Sequence, residues 1–97
     1  MEYNLDNGLL TIHLEGEMNS YNSEMVEKEI EKIINANSFT SLKIDMEKVS
    51  YISSAGIRVI VGMMKICPDI VLAKVGESVY NVFDMVGFTE RVKIEKL

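Results

Sequence analysis

The sequence contains little of what builds a site with its own chemistry. It has one cysteine, Cys67, and one histidine, His13, too few for an internal disulfide or for the Cys and His ligands of a zinc site. No Gly-rich segment ends in the Gly-Lys-Ser/Thr sequence that cradles nucleotide phosphates, and no nucleophile–base pair is evident. We therefore expect no metal, no cofactor and no catalytic residues, so the protein should not be an enzyme.

Basic residues and long apolar runs are also scarce. Ten Lys and Arg against 15 Asp and Glu give a net charge of −5, and the basic residues are scattered, so no patch for a nucleic-acid backbone is expected. No apolar run approaches the ~20 residues that a membrane helix needs, and no export signal is recognisable. Together with the single cysteine, these features predict a cytoplasmic protein that neither inserts into a membrane nor binds nucleic acid.

The length of 97 residues predicts one domain over residues 1–97. Hydrophobic patterning predicts strands near residues 3–5, 10–14, 42–45, 70–75 and 92–94, and helices near 22–35, 54–66 and 77–86. Asn7-Gly8 is a hairpin signal, residues 16–20 should form a loop, and residues 46–52 a turn. Strands alternating with helices indicate an α/β fold, a small mixed β-sheet of about four or five strands with helices packed against it.

Two adjacent hydroxyls, Ser53 and Ser54, are expected at the start of the central helix. A phosphoryl group is easily accommodated there, because free N–H groups and the helix dipole favour negative charge. Serine is also among the commonest N-cap residues, so a capping role alone is the alternative. Because no candidate catalytic residues accompany the serines, we expect that another protein acts on them.

The central helix also carries one polar stripe at helical spacing. The stripe, expected to face water, consists of Ser54, Arg58, Gly62 and Lys65. Ile57 and Val61 flank it and should be half exposed, which makes this side a candidate docking face. The apolar residues expected to meet the sheet are Val59, Ile60, Met63, Met64 and Ile66. The alternative is an amphipathic helix whose exposed margin happens to be apolar.

Asp45 to Arg58 resembles the signature of the bacterial STAS-domain, anti-sigma factor antagonist family. That signature has an aspartate ending a strand, a short turn, an aromatic–aliphatic pair, and then Asp/Ser-Ser-Ser/Ala/Thr-Gly-Leu/Ile. Leu14 to Asn19 resembles the family's second strand and following loop, and Gly87-Phe88-Thr89 resembles its Gly-Phe step after the last helix. The resemblance covers almost the whole chain and implies a STAS-like fold.

The resemblance implies a phosphorylation switch. In that family the unphosphorylated antagonist binds an anti-sigma factor that is also a serine kinase, which frees the sigma factor for transcription. The kinase inactivates the antagonist by phosphorylating one serine, and a separate protein phosphatase reverses this. By position Ser54, two residues before Gly56, is the phosphoacceptor. Two further residues support the motif: Gly56, and Asp45, which is expected to brace the turn through backbone N–H groups. The expected partner-binding residues are Asn19, Ser53, Ile57, Arg58 and Val61.

Two positions depart from the family pattern. Ser53 stands where many members have Asp, so the kinase would meet two hydroxyls, of which we prefer Ser54. Asn19 stands where Asp is frequent, which predicts a less acidic pocket. The same fold also suits a STAS scaffold subunit of a signalling or lipid-transport assembly that is never switched. In this alternative, Ser54 would simply cap the helix.

Overall fold

The computed structural model describes all 97 residues and contains five strands, three α-helices and one short 3-10 helix. The strands are β1 (Glu2–Asp6), β2 (Leu9–Met18), β3 (Ser41–Ile52), β4 (Ile70–Val75) and β5 (Lys93–Lys96). The helices are α1 (Ser23–Ala36), α2 (Ser54–Ile66) and α3 (Glu77–Met85), followed by the 3-10 helix Phe88–Glu90. The predicted mixed α/β fold and its order of elements are confirmed.

All five strands belong to one sheet in the order β1-β2-β3-β4-β5, in which β1 is antiparallel to β2 and the other neighbours are parallel. Each helix connects adjacent parallel strands in the same direction along the sheet. Right-handed crossovers therefore place all three helices on one face. Strand β3 shows this, because Leu42 and Ile44 are buried while Lys43 between them is half exposed. The core of 22 buried residues lies between helices and sheet.

Strands β2 and β3 are longer than predicted. The expected loop at residues 16–20 begins only after Met18, and the expected turn at residues 46–52 is the second half of β3. The reason is two register shifts, after the pairs His13↔Asp45 and Gly16↔Val49, at each of which β3 has one more residue than β2. Such bulges break the period-two pattern by which a strand is recognised. Residues 46–52 therefore resemble a turn in sequence although they belong to β3.

The second halves of β2 and β3 form a two-stranded extension of the sheet. The β3–β4 ladder ends at Asp45↔Ala73, whereas β3 continues to pair with β2 as far as Met18↔Ile52. Helix α2 follows β3 directly, so its first turn lies beyond the end of β4. This position leaves the first turn of α2 at a projecting end of the molecule.

Local signals for turns agree with the structure. Asn7 and Gly8 both have positive φ, 50° and 84°, the conformation that an Asn-Gly hairpin turn requires. Gly87 follows α3 with φ 74°, as expected of a residue that ends a helix in the left-handed region. None of the helices has the length and apolar character needed to cross a membrane.

Helix α2 buries a narrower face than predicted. Val59, Ile60 and Met63 are buried, but Met64 is only partly covered and Ile66 is 56% exposed. The prediction that Ile66 meets the sheet is wrong. Ile66 is the last residue of the helix, and its side chain lines the groove between α1 and α2 instead of packing on the strands.

Candidate functional site at the start of helix α2

The first turn of α2 lies against the end of β2. The Ser53 N–H donates to the Met18 carbonyl oxygen at an N···O distance of 2.8 Å. Gly56 is buried at this contact, where an added Cβ would lie 2.8 Å from Ile52 Cγ1 and 2.9 Å from Met18 Cβ. Only glycine permits so close an approach. The loop between β2 and α1, which contains Asn19, is thereby held beside the two serines.

The two serines have different roles in the helix start. Ser53 is the N-cap, with φ −103° and ψ 176°, and its Oγ accepts a long hydrogen bond of 3.4 Å from the Gly56 N–H. Ser54 is the first residue of α2 and its side chain is exposed, whereas Ser53 is half buried. The scaffold alternative assigned the cap to Ser54, but the cap is Ser53.

The start of α2 is electrostatically suited to an anion. The first turn contains no acidic residue, and the unpaired N–H groups of a helix start carry partial positive charge. Arg58, one turn further on, is exposed and forms no ion pair within the chain. A negative group on Ser54 would thus meet a favourable local field.

The docking face of α2, defined as Ser54, Ile57, Arg58, Val61 and Gly62, has the exposure that the sequence predicts. Ser54 and Arg58 are exposed, and Ile57, Val61 and Gly62 are half exposed. The two aliphatic side chains are four residues apart and lie on the same side of the helix. Polar and apolar groups are therefore available side by side to a bound protein.

Asn19 organises the loop between β2 and α1. Its Oδ1 accepts hydrogen bonds from the N–H groups of Tyr21 and Asn22, at 2.9 and 3.1 Å. In return Asn22 Oδ1 accepts the Asn19 N–H at 2.9 Å, and Asn22 Nδ2 donates to the Glu17 carbonyl oxygen at 2.7 Å. Because the side-chain Oδ1 of Asn19 already accepts these two hydrogen bonds, the first role of Asn19 is to shape the loop.

Sequence reasoning missed two exposed tyrosines at this end of the molecule. Tyr21, in the loop after β2, is 96% exposed, and Tyr51, opposite Glu17 in the two-stranded extension, is 48% exposed. Exposed aromatic side chains are frequent anchors of protein interfaces. The available signal was a tyrosine inside a polar loop segment, Ser20-Tyr21-Asn22.

Asp45 holds the first bulge of β3. Its Oδ1 accepts the Glu47 N–H at 3.0 Å, as the sequence led us to expect, and its Oδ2 lies 2.8 Å from His13 Nδ1. His13 Nε2 lies 2.9 Å from Asn4 Oδ1, so three strands are linked. The His13 side chain is 37% exposed and has partners on both ring nitrogens.

The pKa of Asp45 is lowered from its ordinary value of 3.8. Burial is the largest single influence and raises the pKa. The hydrogen bonds from Glu47 and His13 and the charges of Lys74 and His13 act in the opposite direction and together outweigh it. The ionised carboxylate is therefore the form that the folded bulge stabilises.

Comparison with known proteins identifies the family. The model of the STAS domain family matches residues 1–96. BtrV of Bordetella bronchiseptica, a proposed anti-sigma factor antagonist, is 32% identical over 85 residues, which cover 84% of this chain and 72% of BtrV. The chain belongs to the STAS-domain, anti-sigma factor antagonist family.

Solved structures agree with this STAS fold. A proposed anti-sigma factor antagonist from Thermotoga maritima superposes with a TM-score of 0.86 at 20% identity, over 99% of this chain and 86% of its own. Phosphorylated SpoIIAA from Bacillus superposes with a TM-score of 0.67 at 18% identity, over 96% of this chain and 88% of its own. At such identities the likeness concerns the fold alone.

The contact at Gly56 predicts a specific loss of stability in this STAS domain. Gly56→Ala should lower the free energy of unfolding by about 1–3 kcal/mol, because the added methyl overpacks against Met18 and Ile52. Gly62→Ala, in the same helix but with no atom near its Cβ, is the control and should stabilise by roughly 0.5–1 kcal/mol. Urea unfolding measures both. Equal stability of Gly56→Ala and wild type would contradict the packing argument.

The lowered pKa of Asp45 predicts a particular acid dependence. Because its folded-state pKa lies below the unfolded one, Asp45 stabilises the fold above about pH 4, and this contribution is lost as pH falls through the folded-state pKa. Asp45→Asn should therefore be less stable than wild type at pH 7, and the two free energies of unfolding should converge as pH falls through the folded-state pKa of Asp45. Urea unfolding across pH measures this, with Asp6→Asn as the matched control, since Asp6 is exposed and forms no ion pair. A difference in stability between wild type and Asp45→Asn that does not change with pH would contradict the stabilising role of the ionised carboxylate.

Proposed function

We propose that this STAS domain is a cytoplasmic anti-sigma factor antagonist switched by phosphorylation of Ser54. Unphosphorylated, it binds an anti-sigma factor of the serine-kinase class and thereby frees the sigma factor. Phosphorylated, it no longer binds, and a protein phosphatase restores it. The observation that carries the proposal is the exposed Ser54 hydroxyl at the first position of α2, on the docking face and outside the capping interaction.

The domain itself supplies only the acceptor oxygen. The kinase would hold ATP and the base that takes the hydroxyl proton, while the Ser54 oxygen bonds to the γ-phosphorus and ADP leaves. This division of roles agrees with an acceptor on a projecting end, where a second protein can reach it.

Ser54 is the better acceptor of the two serines for a geometric reason. The Ser53 side chain is half buried and its Oγ accepts the Gly56 N–H, while its own N–H is bonded to Met18. Phosphorylation of Ser53 would require that the helix cap open. The Ser54 hydroxyl needs no such rearrangement.

A phosphate on Ser54 should leave the fold intact and break the complex. It adds about −1.5 to −2 charges, which the helix start and Arg58 can accommodate in the free domain. Beneath a bound protein the same group is strongly hydrated and costly to bury. A loss of about 3 kcal/mol would weaken binding more than a hundredfold. The description of BtrV as an anti-sigma factor antagonist, and the existence of SpoIIAA in a phosphorylated form, support the proposal.

Kinase treatment tests the acceptor directly. The protein is incubated with ATP and each serine-kinase anti-sigma factor of the source genome, and the intact mass is measured. We expect one phosphate on wild type and on Ser53→Ala, and none on Ser54→Ala. A phosphate that persists in Ser54→Ala and disappears in Ser53→Ala would move the acceptor. If no kinase modifies the wild type, the scaffold alternative is favoured.

A charge at Ser54 should abolish binding without unfolding. Ser54→Asp is expected to retain the circular dichroism spectrum and to bind the kinase at least about a hundredfold more weakly in calorimetry. Ser78→Asp is the matched control, since Ser78 is also an exposed serine in the first turn of a helix, α3. It should bind like wild type. Unchanged affinity of Ser54→Asp would contradict the interface.

A further inference from the structure

Helices α1 and α2 leave a groove between them. Its apolar lining includes Ile30 of α1 and Val59 and Ile66 of α2, and its volume is about 60 Å³. This is several times the roughly 10–15 Å³ of cavity volume that is needed to hold one water molecule, enough space for the end of an aliphatic side chain. The exposed fraction of Ile66, 56%, shows that the chain itself leaves this surface uncovered.

Gly62 opens the groove toward solvent. A Cβ built on Gly62 has no neighbouring atom within 4 Å. A glycine inside a helix costs roughly 0.5–1 kcal/mol relative to alanine, and no packing contact at this position requires it. Gly62 is at the same time a member of the docking face, one turn beyond Arg58. The groove therefore continues directly from the surface that carries Ser54.

An acidic edge borders the groove on the α1 side. Glu27 and Glu31 both line it, are exposed, and form no ion pair within the chain. At a spacing of four residues on one helix their charges repel each other. A positive group from outside would relieve that repulsion. The groove thus combines an apolar lining with an unneutralised negative edge.

We propose that the α1–α2 groove binds a segment of the anti-sigma factor kinase, an aliphatic side chain flanked by Lys or Arg. The aliphatic group fills the space above Gly62, and the basic group pairs with Glu27 and Glu31. This site rests on the proposed function, because the partner is the same, but it is separate from Ser54. It adds affinity and specificity to a surface whose other end is controlled by phosphorylation.

Filling the groove tests the apolar half. Gly62→Leu places a side chain in the empty space and should weaken binding to the kinase at least about tenfold, with unchanged or higher stability in urea. Gly76→Leu is the matched control, since Gly76 also has no neighbour within 4 Å of its Cβ but lies at the start of α3; it should bind like wild type. If Gly62→Leu binds as tightly as wild type while Ser54→Asp does not, the groove is refuted and the switch stands.

Reversing the charge tests the polar half. Glu27→Lys/Glu31→Lys should bind the kinase at least about tenfold more weakly at low salt, and the difference from wild type should shrink as salt is added. The control Glu90→Lys, on the 3-10 helix, should not change binding. Equal affinity of the double variant and wild type would overturn the basic character of the bound segment. If wild type binds no serine-kinase anti-sigma factor, the groove proposal falls together with the proposed function.

Discussion

The candidate site depends on the close contact between the start of α2 and the end of β2. Gly56 allows the helix to approach Met18 to a distance that a side chain would prevent, and the Ser53 N–H closes the contact with a hydrogen bond of 2.8 Å to Met18. The contact fixes Ser53 as the cap, leaves Ser54 free at the first position of the helix, and holds the Asn19 loop beside it. The motif glycine is therefore needed for packing.

The sheet gives this contact its exposed position. Strands β2 and β3 continue beyond the point at which β4 stops pairing, and two bulges in β3 accommodate the extension. The carboxylate of Asp45 stabilises the first bulge through Glu47 and His13. The two-stranded projection thus places Ser54 at an exposed end of the molecule. A phosphate there would change the surface and leave the core, which lies under the helices, untouched.

Charge divides the surface of α1 and α2 into two parts. The start of α2 has the positive end of a helix dipole and Arg58, while the edge of the groove has Glu27 and Glu31. An acceptor serine in a positive field tolerates phosphate in the free domain. The acidic edge on α1 can attract a basic partner whatever the state of the serine. Together they would let binding and its control reside on neighbouring parts of the surface formed by α1 and α2.

Local patterns predicted most of the fold. The bounds of α2 and β4 were correct because apolar periodicity, Ser53-Ser54 and Pro68 are signals contained within a few residues. The Asn7-Gly8 turn and the left-handed Gly87 were correct because the backbone conformation depends on those residues themselves. The sequence also placed Ser54, Ile57, Arg58 and Val61 on one side of a helix, since helical spacing alone decides that.

Contacts between distant segments decided the rest. The bulges of β3 arise from its pairing with β2, the His13–Asp45 contact joins residues 32 positions apart, and the exposure of Ile66 depends on how α1 lies beside α2. The position of Ser53 as the cap is fixed by the hydrogen bond from its N–H to the Met18 carbonyl oxygen. By itself the sequence determined which elements form and which helix presents the serines, because those depend on neighbouring residues. Only the tertiary structure decided where the strands end, which serine is free and where a groove remains, because these depend on packing between segments far apart in the chain.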